Sequence, residues 1–291
     1  MISCLRSIGP LRSFAMILPL LAANQGRGAE LDYPLAVAVD ASGAIYIADL
    51  NSPCIWKAVD GQLAVYFQGQ KQFRTPLNRP RCLAIDAEGR LLAGDTSTRE
   101  VYRFNAEGVP EPLTAGGIGT PMAIAVNAEG EIFVADMELH RIWKVPAAGG
   151  TPELFAEVPA PRGLCFDAEG RLYVVSGEAG NSTPLVRVSP DGTIEPVAKS
   201  PFVLPPDNSL PHHVVLDAEG NAYVTDNYAN AIWRVTPTGE QAQWFSGEPL
   251  KSPVGLAWKG TSLLVADPKI PALIEITPEK QATKVELAPS P

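Results

Sequence analysis

A chain of 291 residues with 32 acidic and 23 basic side chains, net charge −9, lacks the broad basic surface that general nucleic-acid binding needs. Its 46% hydrophobic and 19% charged residues give a globular composition and exclude a disordered one. The 25 Gly and 28 Pro fall at regular intervals, so they mark turns.

At the N-terminus, Arg6 and Arg12 precede an apolar run at 14–23, followed by small and polar residues. This reads as a secretory signal over 1–23, cut near 23–29; left uncut, the segment would act as an anchor, although the run is too short to span a bilayer as a helix. The expected location is therefore the periplasm, the medium or the cell surface, with no transmembrane segment after cleavage. Cys4 lies upstream of the apolar run and cannot be an acylated cysteine after a signal. Export puts Cys54, Cys82 and Cys165 in an oxidising compartment, and an odd number leaves at least one unpaired. Cys165, between Leu164 and Phe166, reads as a small buried apolar residue; a Cys54–Cys82 disulfide stays open as one alternative.

From Pro34 onward one pattern recurs six times, starting at Pro34, Pro80, Pro121, Pro161, Pro211 and Pro253, at spacings of 40 to 50 residues. Each copy runs apolar–small–apolar, then a turn of the Asp-Ala-Glu-Gly kind, then an apolar-aromatic strand ending mostly in Asp. Repeats of this length, built of short strands and tight turns, mark β-propeller blades. The expected fold is all-β: a single six-bladed propeller over 34–288 with four-stranded antiparallel blades. The third copy gives strands at 122–126, 131–135, 142–145 and 152–156 from its β-branched and aromatic runs. In the inner strands, large residues (Leu83, Ile85) alternate with small ones (Cys82, Ala84), as stacked sheets buried on both faces require. Val285 and Leu287 read as part of the sixth blade's own outer strand.

Asp49, Asp95, Asp136, Asp226 and Asp267 recur at the end of the second strand. Equivalent positions in five copies point to loop caps in preference to a metal ring. Trp56, Trp143 and Trp233 share a third-strand position and read as blade packing.

Residues 134–142, Val-Ala-Asp-Met-Glu-Leu-His-Arg-Ile, resemble the NHL repeat, with Leu139 where that motif usually has Asn; His140 is the motif's own histidine and is read as structural. The wider pattern resembles the six-bladed SMP-30/gluconolactonase-like propellers. That resemblance implies a central pocket lined by the residue after each leading Pro. In lactonase-like members such positions carry Glu, Asn and Asp metal ligands; peptide-amidating lyases, which are NHL propellers, use His in three blades. Here the six residues are Leu35, Arg81, Met122, Arg162, His212 and Val254. They include no carboxylate and one direct ligand, His212, whereas zinc takes three or four protein ligands and hard cations several oxygens. No metal site and no cofactor are expected; a divalent metal belongs only to the enzyme alternative.

The first-to-second strand turns are uniform, while 69–79, 200–210 and 177–184 are long or irregular, and Ser176 replaces the repeating Asp in blade four. Variation confined to one face of a rigid scaffold marks the working face, centred here on blades four and five. The expected ligand-binding residues are Arg81, Arg162, His212, His213, Glu178 and Asn227, since guanidinium forks suit carboxylate or phosphate. His213 occupies a position that is Ala, Cys or Gly in the other blades. The leading expectation is an exported, monomeric scaffold binding an anionic or polyhydroxylated small molecule or a protein partner. The alternative is a lactonase-type hydrolase or lyase with His212 as base and Arg81 and Arg162 as electrostatic stabilisers. A third reading, a protein-binding platform, needs exposed apolar loops, for which Phe202 and its neighbours are the candidates.

Overall fold

The computed structural model describes residues 30–72, 74–177, 183–198, 200, 202 and 209–290; the signal reading falls outside them. Six sheets follow one another along the chain. Blade one holds β1 (Pro34–Val39), β2 (Ile45–Asp49), β3 (Cys54–Val59) and β4 (Gln62–Gln68). Blade two holds β5 (Pro80–Ile85), β6 (Leu91–Asp95), β7 (Glu100–Phe104) and β8 (Pro110–Pro112). Blade three holds β9 (Pro121–Val126), β10 (Ile132–Asp136), β11 (Arg141–Val145) and β12 (Glu153–Glu157). Blade four holds β13 (Pro161–Phe166), β14 (Leu172–Ser176), β15 (Leu185–Val188) and β16 (Ile194–Pro196). Blade five holds β17 (Pro211–Leu216), β18 (Ala222–Asp226), β19 (Ala231–Val235) and β20 (Gln241–Ser246). Blade six holds β21 (Gly255–Lys259), β22 (Ser262–Ala266), β23 (Leu273–Ile276) and β24 (Ala282–Lys284), and β25 (Ala288–Pro289) follows it. Each blade is an antiparallel meander, as the repeat requires. Among the described residues no helix is long and apolar enough to cross a membrane.

The alternation of large and small residues becomes the packing rule of the ring. Ala36 and Ala38 of blade one meet Leu83 and Ile85 of blade two. Cys82 and Ala84 meet Ile124 and Val126, and Ala123 and Ala125 meet Leu164 and Phe166. Ala257 of blade six meets Val37 and Val39 of blade one, which closes the circle. A small face thus receives the large face of the next blade, at the close-packed density of a protein core.

Ring closure differs from the sequence expectation. Blade six takes its outer strand from Ala282–Lys284, and 285–287 cross toward blade one, where Val285 and Leu287 pack against the blade six–one core. Ala288–Pro289 then pairs in parallel with Gln62 and Leu63, adding a fifth strand to blade one. A covered outer strand cannot template pairing with another chain. Phe202 is also not an exposed platform residue: it is 4% exposed and stacks on Trp233 with ring centroids 5.6 Å apart. The rest of 201–208 lies outside the described residues. Cys54, Cys82 and Cys165 are all free, so the Cys54–Cys82 pairing is not made.

The recurring aspartates act as staples. Asp136 accepts from the N–H groups of Gly119 (2.6 Å), Thr120 (3.0 Å), Glu138 (3.1 Å) and Leu139 (3.1 Å), and from Trp143 Nε1 (2.9 Å). Asp49, Asp95, Asp226 and Asp267 likewise bind the chain entering their own blade. Their oxygens are committed to backbone donors, which leaves none to form a metal ring. His140 is structural as well: its Nδ1 accepts from Ala160 N–H at 2.8 Å.

Asp136→Ala strips the acceptor from several buried donors and is expected to cost about 3 kcal/mol or more. Asp191, whose carboxylate caps Thr193 N–H in an exposed turn, should cost far less when changed to Ala. Urea midpoints of the two variants check this contrast; equal losses would remove the staple role.

Candidate functional site

Strand register explains how side chains reach the central channel. In blade one Pro34 lies opposite Asp49 and Ala36 opposite Ala48, so Leu35 is an extra, bulged residue. The same irregularity isolates Arg81 between Pro80 and Cys82, Met122 in blade three, and Arg162 between Pro161 and Gly163. In blade five it spans His212 and His213. A bulge takes its extra residue out of the two-face alternation of the strand, here toward the channel. Val254 enters just ahead of β21. These six residues, with Ala36, Cys82 and His213, line one cavity with about 290 Å³ of open space including its mouth.

In blade order the wall reads Leu35, Arg81, Met122, Arg162, His212, Val254. Leu35, Met122 and Val254 are buried and apolar. Arg81 and Arg162 take part in none of the ion pairs among the described residues. Arg162 Nε is buried without a partner. Burial pushes the pKa of both guanidinium groups down, and at Arg162 the charge of Arg81 adds to it. The other titratable neighbours are Cys82, Tyr33 and Arg79 at Arg81 and Tyr228 at Arg162, and no carboxylate enters either set among the described residues. Both side chains are half-buried, and a cation withdrawn from water without a partner is costly, so among the described residues these two form a cationic seat without a counter-charge.

His212, 7% exposed, is held well below the ordinary imidazole pKa by burial, then by Arg162, Arg81 and His213. Burial pushes His213 down to about 4, and its Nδ1 is buried without a partner. The His213 N–H donates to Thr225 Oγ1 at 3.0 Å, and the Thr225 hydroxyl donates to the Val254 carbonyl at 2.9 Å. Thr225 thus bridges the bulge of blade five and ties that blade to blade six. Gly163 makes room for this region, since a methyl group there would lie 2.7 Å from His213 Cα.

Arg81, Arg162, His212 and His213 therefore share one cavity. Asn227 stands outside its lining: its N–H donates to the Leu210 carbonyl at 3.2 Å, and its Oδ1 is buried without a partner. Glu178 lies outside the described residues. Sequence reasoning missed Gly177, where a methyl group would lie 1.9 Å from Arg162 Nε and 2.1 Å from its Cδ. The equivalent positions hold Leu50, Thr96, Met137, Asn227 and Pro268, so the absent side chain was the available signal. It also missed Tyr33 and Tyr228, the latter 63% exposed, which stand close enough to Arg81 and Arg162 to act on their charge. Tyr228 follows a position where the other blades carry no aromatic ring.

The divalent cation that the fold resemblance implies does not fit these residues. His212 and His213 are the two imidazoles among the bulged residues, two guanidinium groups would repel the ion, and no group of three His, Cys, Asp or Glu side chains able to hold a metal forms among the described residues.

The neutral imidazoles set a pH dependence. Between the unfolded value near 6.5 and about 4, the unfolded chain takes up a proton at His213 that the folded chain refuses. Stability therefore falls as pH falls through that window and levels off once the folded imidazole titrates. His212, also depressed, acts in the same direction. Urea midpoints are expected to drop from about pH 7 to about pH 4.5, and less steeply in His213→Gln; a flat midpoint in the wild type would contradict burial of neutral imidazoles.

No family model matches the chain. A virginiamycin B lyase from Nocardia farcinica is 32% identical over 174 residues, which is 60% of this chain and 53% of that protein; the chain spans about half the length of this curated relative. The structure is similar to that of a catalytically inactive histidine-to-alanine virginiamycin B lyase from Staphylococcus aureus with quinupristin, at TM-score 0.67 and 18% identity, covering 90% of this chain and 87% of that one. It is also similar to a gluconolactonase from Xanthomonas campestris, at TM-score 0.69 and 16% identity, covering 84% and 86%. At these identities the likeness establishes architecture. By its fold, this chain is a six-bladed propeller of the kind shared by gluconolactonase-like proteins and virginiamycin B lyases.

Proposed function

We propose that this propeller is a binding scaffold that captures a small anionic ligand at the mouth of its central channel, on the blade four–five side. The observation that carries the reading is the pair of half-buried guanidinium groups, Arg81 and Arg162, which meet no carboxylate among the described residues. A ligand anion supplies the missing charge, and charge-assisted hydrogen bonds to a guanidinium fork are strong and directional. The neutral imidazoles of His212 and His213 each offer one donor and one acceptor to the same ligand. In this reading the chain is exported as a monomer. Its buried thiols suit that setting: burial pushes Cys82 up to about 12 and Cys165 up to about 11, so both stay protonated and slow to oxidise.

A second reading, an enzyme of the lyase or lactonase type, draws support from the 32% identity to a virginiamycin B lyase and from the relative that loses activity when a histidine is replaced. His212 would be its base and the two guanidinium groups its stabilisers of developing negative charge. The depressed proton affinity of His212 weighs against it, because a general base works best with a pKa near the working pH.

Arg81→Met and Arg162→Met separate the reading from a structural role. Each removes a half-buried charge that is in no ion pair among the described residues, so thermal stability without ligand is expected to stay level or rise by a few degrees. Anion affinity measured by calorimetry is expected to fall about tenfold or more, roughly 1.4 kcal/mol. Unchanged affinity in both variants would sink the reading. Gly177→Ala drives a methyl group into Arg162 and should weaken binding with Arg162→Met, while Gly43→Ala, at an open turn with nothing within 4 Å, should leave affinity untouched.

A further inference from the structure

We infer, resting on the anion reading above, that the ligand is a short dicarboxylate, with one carboxylate on Arg81, the other on Arg162, and an apolar spacer lying over Met122. The seat carries two half-buried cations with no acidic residue acting on either among the described residues, and a monoanion would leave one of them partly desolvated and unpaired, which is unfavourable. A ligand with two negative charges neutralises both.

The two guanidinium groups do not come from adjacent blades. Arg81 belongs to β5 of blade two and Arg162 to β13 of blade four, and between them β9 of blade three presents Met122, 8% exposed. A thioether side chain offers dispersion contact and no useful hydrogen bond to an anion. Cation, apolar surface, cation is the order a two-headed ligand with a methylene spacer matches. Leu35, Ala36 and Val254 add apolar surface to the same wall, on which His212 and His213 also stand.

A guanidinium presents two parallel N–H groups that match the two oxygens of a planar carboxylate. Holding one tetrahedral oxyanion with both residues would draw two like charges together across Met122. Spreading two carboxylates keeps them apart.

The test is calorimetric titration of the purified protein, at one ionic strength, with malonate, succinate, glutarate and adipate, alongside butyrate and inorganic phosphate. One dicarboxylate length is expected to bind at least about tenfold more tightly than butyrate or phosphate. Arg81→Met and Arg162→Met are each expected to reduce that ligand to the butyrate level and erase the length preference, with melting curves showing that both variants remain folded. Phosphate or butyrate binding as tightly as the best dicarboxylate would overturn the two-headed ligand while leaving the anion site standing. No binding of any of these anions would overturn the anion site itself.

Discussion

The channel mouth depends on a buried carboxylate at the end of the second strand in every blade but the fourth. Asp136 grips Gly119 and Thr120 as the chain enters blade three and, on the other side, the loop that leaves β10. Fixing those two chain segments against one another fixes where the first strand begins. The Pro that follows has no N–H to give the ladder, the next residue bulges, and that residue alone turns toward the axis. The frame thus offers one free position per blade. Chemistry at the channel is set by six side chains on a scaffold whose other inward positions are committed to packing one blade into the next.

Blade four departs from this frame in a way that concerns the site. Its cap is Ser176, whose hydroxyl donates to the Pro159 carbonyl at 2.7 Å. The exchange removes a buried negative charge from the end of the blade that carries Arg162, and Gly177 beside it removes a side chain from the space Arg162 occupies. The second change acts on the guanidinium directly, by giving it room; the first does not, since Arg81 feels no carboxylate although its blade keeps Asp95. A scaffold that needed only stability would keep the aspartate, whose charge-assisted hydrogen bonds exceed those of a hydroxyl.

Much of the fold was legible because each blade repeats the same local solution. Pro spacing, Asp-rich turns and the large–small alternation place the strands to within a residue or two: the outer strand of blade three reads as 152–156 and forms at Glu153–Glu157. Closure of the ring was not legible, because it rests on two residues, Ala288 and Pro289, paired in parallel with a strand at the far end of the chain. Val285 and Leu287 look like a strand for the same reason they pack well beneath one, since both roles call for alternate apolar residues. Phe202 looked exposed because its partner, Trp233, is supplied by another part of blade five. In the site, Arg81, Arg162, His212 and His213 could be read from their repeat position. Gly177 left one local trace, the missing side chain at its repeat position, but its closeness to Arg162, like that of Tyr228, lies across the blade end, where no local period records it.

The balance between capture and catalysis turns on His212. It sits one blade from Arg162 and feels both guanidinium charges on top of its own burial. The field that recruits an anion therefore also keeps this imidazole unprotonated and weakens it as a base. An anion seated on Arg81 and Arg162 would cancel part of that field and leave burial as the main term opposing protonation. Proton affinity at His212 would then rise only after the ligand had arrived, with the imidazole hydrogen-bonding to the ligand in either protonation state. Such a coupling strengthens binding at lower pH and does nothing for proton abstraction in the empty site. A pocket whose strongest term is an unmet positive charge, and whose base is weakest when that charge is unmet, is arranged for holding an anion before it is arranged for transforming one.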